Sequence, residues 1–533
     1  MIADVAWKPK HNQWAIALTV TLATFMEVLD TSIANVALPH IAGGLGASED
    51  QATWVLTSYL VANAIVLPAS AYLTTFIGRK RFYMICVVMF GVSSMLCGLA
   101  PSLPLLIFFR VLQGAGGGGL QPSEQAILAD TFEPRKRGQA FAIYGMAVVA
   151  APAIGPTLGG WITDNFSWRW IFFINVPIAV LSLFLTSRLV EDPPHIEHEV
   201  KENRRRGLNL DLMGFGLLAL GFGSLEFVMD KGQEDDWFGS HLITTFSAIC
   251  VVSLLTLIFY EFWQIRKGHR PILDLTLFRN RTFATSFMLM FILGIALFGT
   301  TVLIPQFTQT LLGYTAQRAG LVISPGGFLI MALMPLVGYS ISRIDPRYMI
   351  IFGFCIQCAA LSMMHTLDLQ ASYGYIAFLR MFQAAGLAFL FVPINTLSYT
   401  DIPRTKNNDV SGLINLARNV GGSVGTSFFT TTLARRQQFH QERLSMYMLS
   451  QNPNYATRIN ALTAYFMHSG GAASSTAQGR QLAMANIYNQ MLRQASMLSY
   501  LDVVAILAAA SAAVIPLIFL MKKRPRGGEA AMH

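Results

Sequence analysis

Apolar stretches long enough to cross a lipid bilayer recur along nearly the whole chain, and they restrict its fold more than any other feature. A membrane-spanning helix needs about 20 mostly apolar residues. Only 13% of the residues are charged, about half the share found in a soluble domain. We therefore predict an all-α polytopic membrane protein. Its fourteen expected transmembrane helices are 12–34, 52–76, 82–100, 104–126, 139–162, 170–190, 208–228, 241–263, 283–305, 318–341, 347–366, 373–396, 410–433 and 498–521.

The basic residues behind the net charge of +9 are spread over alternate short loops, which argues against a nucleic-acid partner. Loops rich in Lys and Arg stay in the cytoplasm. We therefore expect a multi-pass protein of the bacterial inner membrane with both termini in the cytoplasm and a long periplasmic loop at 434–497. The basic groups are Lys8 with Lys10, Arg79-Lys80-Arg81, Arg135-Lys136-Arg137, Arg204-Arg205-Arg206, Arg266-Lys267 with Arg270, Arg343 with Arg347, Arg404 with Lys406, and Lys522-Lys523-Arg524.

An internal repeat indicates two related halves. The sequence LIFFRVLQGAG at 106–116 matches IAFLRMFQAAG at 376–386, and PAIGPTLGG at 152–160 lines up with RNVGGSVGT at 418–426. Offsets of about eight spans fit two six-helix halves separated by two inserted helices.

The predicted organisation therefore has three parts. Residues 1–190 form the N-terminal six-helix half, and 191–265 form a cytoplasmic linker with two inserted helices. Residues 266–533 form the C-terminal six-helix half, which includes the loop 434–497.

Four motifs follow one another along the chain: LDTSIANVALP at 29–39, RVLQGAGGGG at 110–119, APAIGPTLGG at 151–160 and WRWIFFINVPI at 168–178. Together they resemble the fourteen-helix drug/proton antiporters, the EmrB/QacA group of the major facilitator superfamily. The long outer loop before the last span is most similar to the EmrB branch.

The resemblance implies proton-coupled efflux of multiple drugs or hydrophobic compounds by alternating access, hence a role in antibiotic resistance. It also implies a tripartite pump with a periplasmic membrane-fusion adaptor and an outer-membrane channel. Other functions left open are a proton-linked importer or facilitator of a polar solute, and a membrane-bound enzyme or sensor. The chain shows no paired catalytic set on a loop, so we expect no enzyme.

Candidate proton-coupling residues lie within the spans, where ionisable side chains are costly and usually functional. Glu27 and Asp30 are three residues apart and share a helix face, so we expect them to titrate as a pair. Arg110 needs a buried partner, and the resemblance places this arginine near the acid of the first span. Asp30 could instead brace a helix end, and Arg110 could pair with backbone carbonyls. Secondary candidates are Glu124, Glu226, Arg380 and Arg418.

Two further motifs follow from the resemblance. The antiporter motif comprises Pro152, Gly155, Pro156, Gly159 and Gly160, whose prolines bend the span and whose glycines allow close approach; it could also be a plain packing seam. The gating loop keeps Gly78, Arg79 and Lys80. However, Ala71, Thr75 and Phe76 stand where the superfamily has Gly, Asp and Arg, so the usual gating carboxylate is missing.

No cofactor or metal site is predicted. The glycines from Gly114 to Gly119 formally match a dinucleotide-binding motif, but they lie in an apolar helix and indicate close helix packing. No Walker A sequence occurs. Cys355 and Cys358 lack a second ligand pair, so we expect them to be buried at a helix interface.

Overall fold

The computed structural model describes residues 7–206, 211–449, 451–468 and 475–522, and these residues form α-helices with short connections and no β-strand. The predicted basic residues Lys523 and Arg524 and the side chains of 204–206 lie outside the described part. The helices are α1 (Gln13–Leu45), α2 (Glu49–Ile77), α3 (Arg79–Leu99), α4 (Leu103–Gly117), α5 (Leu120–Thr131), α6 (Arg137–Asn165), α7 (Trp170–Phe173), α8 (Asn175–Leu189), α9 (Pro194–Arg206), α10 (Leu212–Lys231), α11 (His241–Arg266), α12 (Arg281–Thr310), α13 (Ala316–Ser340), α14 (Pro346–Met364), α15 (Tyr373–Ser398), α16 (Asn407–Ser445), α17 (Pro453–His468) and α18 (Thr476–Val514).

Thirteen helical stretches in the described ranges are long and apolar enough to cross a membrane. Helices α4 and α5 together form the fourth of these, and α7 with α8 form the sixth. The predicted span 410–433 is not among the thirteen, because α16 carries polar residues such as Asn415 and Arg418 along this stretch. Helix α16 nevertheless lies within the bundle, where it packs against α2, α12 and α18.

The predicted loop 434–497 is largely helical. Helix α16 continues to Ser445, α18 already begins at Thr476, and α17 packs against α18. Arg436 Nε donates to Asp502 Oδ2 at 2.6 Å, and His440 Nε2 lies 2.6 Å from the same oxygen. These contacts tie α16 to α18 where the two helices leave the bundle.

The glycine-rich stretch after Arg110 brings α4 against α2 at backbone distance. A Cβ atom at Gly114 would lie 2.3 Å from the carbonyl oxygen of Tyr59, and one at Gly118 would lie 2.7 Å from that of Asn63. Neither position can carry a side chain without moving α2. The expectation that these glycines serve close helix packing is confirmed.

Helices α6 and α13 join the two halves along their length. A Cβ atom at Gly338 would lie 2.8 Å from the carbonyl oxygen of Gly138 near one end of this contact. Further along, a Cβ atom at Gly327 would lie 2.6 Å from Cβ of Ala153. Small residues therefore allow the two halves to touch through their backbones on this side of the bundle.

The first inserted helix, α10, bridges the two halves on the opposite side, between α2 and α16. Thr57 of α2 donates to Asp230, while Ser423 of α16 donates to Glu226 Oε1 at 2.8 Å. Beyond the end of α10, Trp237 Nε1 donates to Thr431 Oγ1 of α16 at 3.1 Å. The inserted helix is thus hydrogen-bonded to both halves.

The two cysteines of the Cys-x-x-Cys sequence do not lie together at a buried interface. Cys355 is exposed on α14, whereas Cys358 is half-buried beside the backbone of Ala508. The expectation of burial was wrong for Cys355, because the apolar residues of a membrane protein also cover its lipid-facing surface. Among the described residues, no group of side chains could hold a metal ion.

Candidate functional site

Asp30 of α1 and Arg110 of α4 form a buried ion pair within the N-terminal half. Arg110 Nη1 donates to Asp30 Oδ2 at 2.6 Å, and the two side chains are 0% and 1% exposed. Gln113 Nε2 and Asn175 Nδ2 donate to Asp30 Oδ1 at 3.0 and 2.6 Å. The carboxylate therefore accepts bonds from three side chains on two other helices, α4 and α8.

The surroundings of Arg110 fix the direction of its guanidinium. Its Nε donates to the carbonyl oxygen of Val55 at 2.9 Å, and Gln113 Oε1 accepts from Nη1 at 2.8 Å. The ring of Tyr59 lies 4.3 Å from Arg110 Cζ. The sequence expectation of a buried partner for Arg110 is confirmed, and that partner is Asp30. A role of this pair in proton coupling stays a prediction.

Glu27 has hydrogen-bonding partners different from those of Asp30, although Tyr59 lies beside both groups. Gln121 Nε2 donates to Glu27 Oε2 at 2.6 Å, and Asn63 Nδ2 donates to Oε1 at 3.2 Å. Tyr59 OH is 3.4 Å from the same Oε1 atom. The two acids share none of their hydrogen-bonding partners among the described residues. Their joint titration stays a prediction. One helix turn is enough to direct the two side chains to different neighbours.

Arg418 connects the Glu27 cluster to the C-terminal half. Its Nη2 donates to Gln121 Oε1, and its Nη1 donates to Tyr144 OH at 2.8 Å. Gln121 thus accepts from Arg418 with its oxygen and donates to Glu27 with its nitrogen. The guanidinium is 1% exposed, and no carboxylate lies within ion-pair distance among the described residues. The chain Glu27–Gln121–Arg418 therefore crosses from α1 through α5 to α16.

Neutral polar side chains extend this contact between the halves. Gln125 Nε2 donates to Asn395 Oδ1 at 2.6 Å, and Asn415 Nδ2 donates to Gln125 Oε1 at 2.8 Å. Tyr144 OH donates to Asn415 Oδ1 at 2.8 Å. Sequence analysis did not single out these residues. The sequence feature that could have identified them is the presence of amide side chains in otherwise apolar spans, where a polar side chain usually binds another helix.

Arg79 of the predicted gating loop is paired with an acid that lies outside the motif. Arg79 Nη1 donates to Asp130 Oδ2 at 2.6 Å, and both side chains are buried. Asn407, at the start of α16, donates to Asp130 Oδ1 at 2.5 Å. We call the end of the bundle that carries Arg79, Asp130 and Asn407 the basic end, and the opposite end the far end. Asp130 links the halves at this end although Thr75 replaces the usual acid.

Gly78 and Lys80 contact the end of α8 and the segment that follows it. Gly78 has φ of +92°, and a Cβ atom there would lie 3.1 Å from Asp192 Oδ2, so this position requires glycine. The backbone N–H of Lys80 donates to Asp192 Oδ1 at 2.9 Å, and Lys80 Nζ donates to the carbonyl oxygen of Ser187. Burial raises the pKa of Asp192, against the opposing effect of the Lys80 hydrogen bond.

The antiporter motif packs within the N-terminal half and also faces the other half. A Cβ atom at Gly155 would lie 2.3 Å from Ser32 Oγ, and one at Gly159 would lie 3.0 Å from the side chain of Ile33. Ser32 Oγ also donates to the carbonyl oxygen of Pro152 at 3.2 Å. Pro156 and Gly160 instead lie beside α13, near Gly320 and Gln317. The antiporter motif therefore packs closely against α1 and also reaches the contact between α6 and α13 that joins the halves.

The remaining candidates lie in three different places. Glu124 is buried in α5 and accepts from Thr21 Oγ1 at 2.5 Å. Glu226 is buried in α10 and accepts from Ser423, as described above. Arg380 is buried in α15 and donates to Gln383 Oε1 at 2.6 Å and to Thr300 Oγ1 at 3.0 Å. None of the three contacts the Asp30–Arg110 pair.

This all-helical bundle of two joined repeats, with buried charges inside and between them, defines a multi-pass membrane transporter. Residues 20–426 match the family model of the Major Facilitator Superfamily, and the chain belongs to this superfamily.

Curated relatives and a solved structure agree with this membership. The chain is 37% identical over 458 residues to the probable multidrug resistance protein EmrY of Escherichia coli (strain K12), which covers 85% of this chain and 86% of that protein. It is 36% identical over 474 residues to the multidrug export protein EmrB of the same strain, covering 88% and 90%. The structure of the proton:xylose symporter XylE matches with a TM-score of 0.55 at 16% identity, covering 91% of this chain and 94% of that one. The last match shows the fold alone, whereas the first two confirm the resemblance drawn from the motifs.

Proposed function

We propose that the chain is a proton-coupled exporter of hydrophobic or amphipathic compounds that works by alternating access. The observation that carries this proposal is the chain Glu27–Gln121–Arg418, because it joins a buried acid of one half to a buried guanidinium of the other. When the basic end opens, Arg418 moves away from Gln121 together with its half. The charge around Glu27 then depends on which end is open, as proton coupling requires.

Asp30 and Arg110 form the second part of the proposed coupling machinery. Their ion pair lies within one half, so it can persist while the halves move against each other. A proton that enters Asp30 would release Arg110 from its partner and change the contact of α4 with α1 and α8. Glu124 and Glu226 are the next candidates for the proton site, with Arg380 as a further charged position.

The energy supplied by protons suffices for export. A proton moving inward across about 100 mV and one pH unit supplies roughly 3.7 kcal/mol. This amount sustains about a 500-fold gradient of a neutral substrate per proton. Relatives named as multidrug export and resistance proteins support the outward direction and a broad range of substrates.

Proteoliposomes test the direction and the coupling together. A susceptibility panel in an efflux-deficient host first identifies a transported drug, and the purified protein is then given an imposed pH gradient. We expect this drug to move against the proton flow and Glu27→Gln to shift or abolish the pH dependence. The exposed acid variant Glu133→Gln serves as the matched control. Movement of drug and protons in the same direction would instead identify an importer.

We further propose that the protein is the inner-membrane component of a tripartite pump, with its far end in the periplasm and both termini in the cytoplasm. The segment around α17 supports an adaptor contact, because large apolar side chains are exposed there. Met446, Tyr447 and Tyr465 are 61%, 68% and 64% exposed, and exposed apolar patches mark interaction sites.

Surface variants test the adaptor contact without shortening α16 or α18. Tyr447→Ser combined with Tyr465→Ser should preserve transport in vesicles but remove drug resistance in cells that contain the adaptor and outer-membrane channel. Asn460→Ser, on the exposed surface of α17, is the control. Normal resistance and normal cross-linking of the adaptor by the double variant would locate the contact elsewhere.

A further inference from the structure

Gln121 of α5 lies between the two charged groups on which the proposed function depends. Its side-chain nitrogen donates to Glu27 Oε2 at 2.6 Å, and its side-chain oxygen accepts from Arg418 Nη2. Glu27 is on α1 of the same half, whereas Arg418 is on α16 of the other half. Gln121 is only 6% exposed, so bulk water offers its amide few other partners. A change at either charged group therefore reaches the other through this amide.

The groups around Gln121 permit one orientation of its amide. A guanidinium carries donors only, so the atom that faces Arg418 must be the amide oxygen. An ionised carboxylate carries acceptors only, so the atom that faces Glu27 must be the amide nitrogen. If the amide turned over, two donors would meet at Arg418 and two acceptors would meet at Glu27. Arg418 therefore fixes the orientation in which Gln121 stabilises ionised Glu27.

Two other side chains donate to Glu27, and both belong to α2 of the same half. Asn63 Nδ2 donates to Glu27 Oε1 at 3.2 Å, and Tyr59 OH donates to the same oxygen at 3.4 Å. Both contacts are longer than the bond from Gln121, and short bonds to an ionised acceptor are the stronger ones. The strongest hydrogen bond to Glu27 is thus the one whose geometry depends on the other half.

Titratable and charged groups on several helices surround Glu27. They are Asp30 on α1, Tyr59 on α2, Arg110 on α4, Glu124 on α5, Tyr144 on α6 and Arg418 on α16. Asp30 is balanced by its ion pair with Arg110, and tyrosine hydroxyls ionise only near pH 10. Of the acids in the described part of the chain, Glu27 alone is hydrogen-bonded to Gln121.

We propose that Gln121 is the positioning residue that links protonation of Glu27 to the opening of the basic end. A proton on Glu27 removes the negative charge that Gln121 and Arg418 face, which weakens the chain of contacts across the halves. After Arg418 has moved away, the amide of Gln121 is free to turn over, and its oxygen can then accept from the carboxyl hydroxyl of Glu27. No proton is transferred in this step, because the carboxyl group keeps its proton and gains an acceptor.

Protonation of Glu27 and opening of the basic end therefore favour each other, since such a linkage is reciprocal. A proton that reaches Glu27 while the basic end is closed favours opening towards the cytoplasm. Release of that proton to the cytoplasm restores the charge and favours closure. This inference rests on the proposed function, because it takes Glu27 and Arg418 as the coupling groups.

The ratio of open to closed molecules at the basic end tests this linkage directly. Spin labels at Lys136→Cys and Thr405→Cys lie on exposed residues of opposite halves at this end. Distances between them are measured in the purified full-length protein, with its native cysteines replaced and without substrate or gradient. The open fraction should increase as the pH falls, by at most about tenfold per pH unit for one linked proton. Glu27→Gln should abolish this pH dependence.

Gln121→Met and Gln125→Met form a matched pair. Gln125 also joins the halves, through Asn395 and Asn415, so both variants should increase the open fraction at neutral pH. Only Gln121 contacts Glu27, so Gln121→Met should reduce the pH dependence to below about twofold per pH unit. Gln125→Met should keep the pH dependence of the wild type. Equal pH dependence in the two variants would overturn the proposal, because a purely structural role predicts the same behaviour for both.

A charged substitution covers the possibility that Gln121→Met fails to fold. Gln121→Glu keeps the length of the side chain and supplies a carboxylate that pairs with Arg418. The basic end should then stay closed at the pH at which the wild type opens, and opening with the wild-type pH dependence would contradict the proposal.

The variants also separate this inference from the proposed function. If Glu27→Gln loses the pH dependence but Gln121→Met keeps it, the role of Gln121 is wrong and the coupling role of Glu27 stands. If Glu27→Gln keeps the pH dependence, or the wild type shows none, both the inference and the coupling role of Glu27 are wrong.

Discussion

Replacement of Asp30 by Asn should remove the charge that balances Arg110 while nearly preserving the side-chain shape. Arg110 is fully buried, and its ion pair with Asp30 has a 2.6 Å contact. Loss of one partner of a buried ion pair typically costs about 3–5 kcal/mol, because the other charge stays buried without compensation. In addition, the Asn amide nitrogen would face one of the donors Arg110, Gln113 or Asn175, since all three point at this carboxylate.

The double variant Asp30→Asn/Arg110→Gln separates charge balance from function. Removal of both charges should restore much of the lost stability, since no uncompensated charge remains. We therefore expect a favourable coupling energy of about 3 kcal/mol in a double-mutant cycle. Uphill drug transport should be absent from both the single and the double variant if Asp30 carries the proton. Arg110→Lys should also fail, because an ammonium cannot reproduce the planar guanidinium contacts.

The assay is reversible unfolding in mixed micelles together with drug and proton flux in proteoliposomes prepared from the same samples. Unfolding of Asp30→Asn at the wild-type denaturant concentration would refute the reasoning about the buried charge. Full uphill transport by Asp30→Asn would instead move the proton site, with Glu226 and Glu124 as the next positions to test. The two readouts therefore test the structural and the functional role separately.

Other substitutions test the joint between the halves and the packing of the bundle. Asp130→Asn removes the charge that balances Arg79, so it should lower stability by about 3 kcal/mol and increase labelling of a cysteine placed at the basic end. Arg418→Gln should keep drug binding but lose the pH dependence of transport, as measured by binding and flux in the same preparation. Gly421→Ala should destabilise the protein by about 1–3 kcal/mol or more in unfolding assays, because its Cβ would lie 2.1 Å from the carbonyl oxygen of Phe291. Wild-type labelling of the Asp130→Asn protein would contradict the first expectation. Wild-type pH dependence of Arg418→Gln would contradict the second, and wild-type stability of Gly421→Ala would contradict the third.

Much of the fold followed from the sequence, because span length and the internal repeat depend on local composition. The need of Arg110 for a partner also followed, since a lone charge in an apolar helix rarely remains unpaired. Helical periodicity shows which residues share a face, but the neighbour of that face depends on how helices from distant parts of the chain pack. For this reason the shared helix face of Glu27 and Asp30 does not predict that their carboxyl groups accept from different side chains.

The closure of the basic end could not be predicted from the motif alone. The motif lacks its acid at Thr75, and the sequence gives no sign that Asp130, about fifty residues further on, pairs with Arg79. Asn407 adds a contact from the other half. Asp130 can take over the role of the acid missing at Thr75 only because it lies close to Arg79 in space, and the spacing of residues along the chain does not show this.

The polarity of α16 has a consequence for how the protein enters the membrane during synthesis. A helix that carries Asn415 and Arg418 within the expected span 410–433 gains little by moving into lipid alone, since a charged residue at the centre of a span costs about 2.5–3.5 kcal/mol during insertion. In the finished protein, α12 and α18 cover much of its surface. We therefore expect α16 to enter the bilayer against α2 and α12, which precede it in the chain, and α18 to complete its cover.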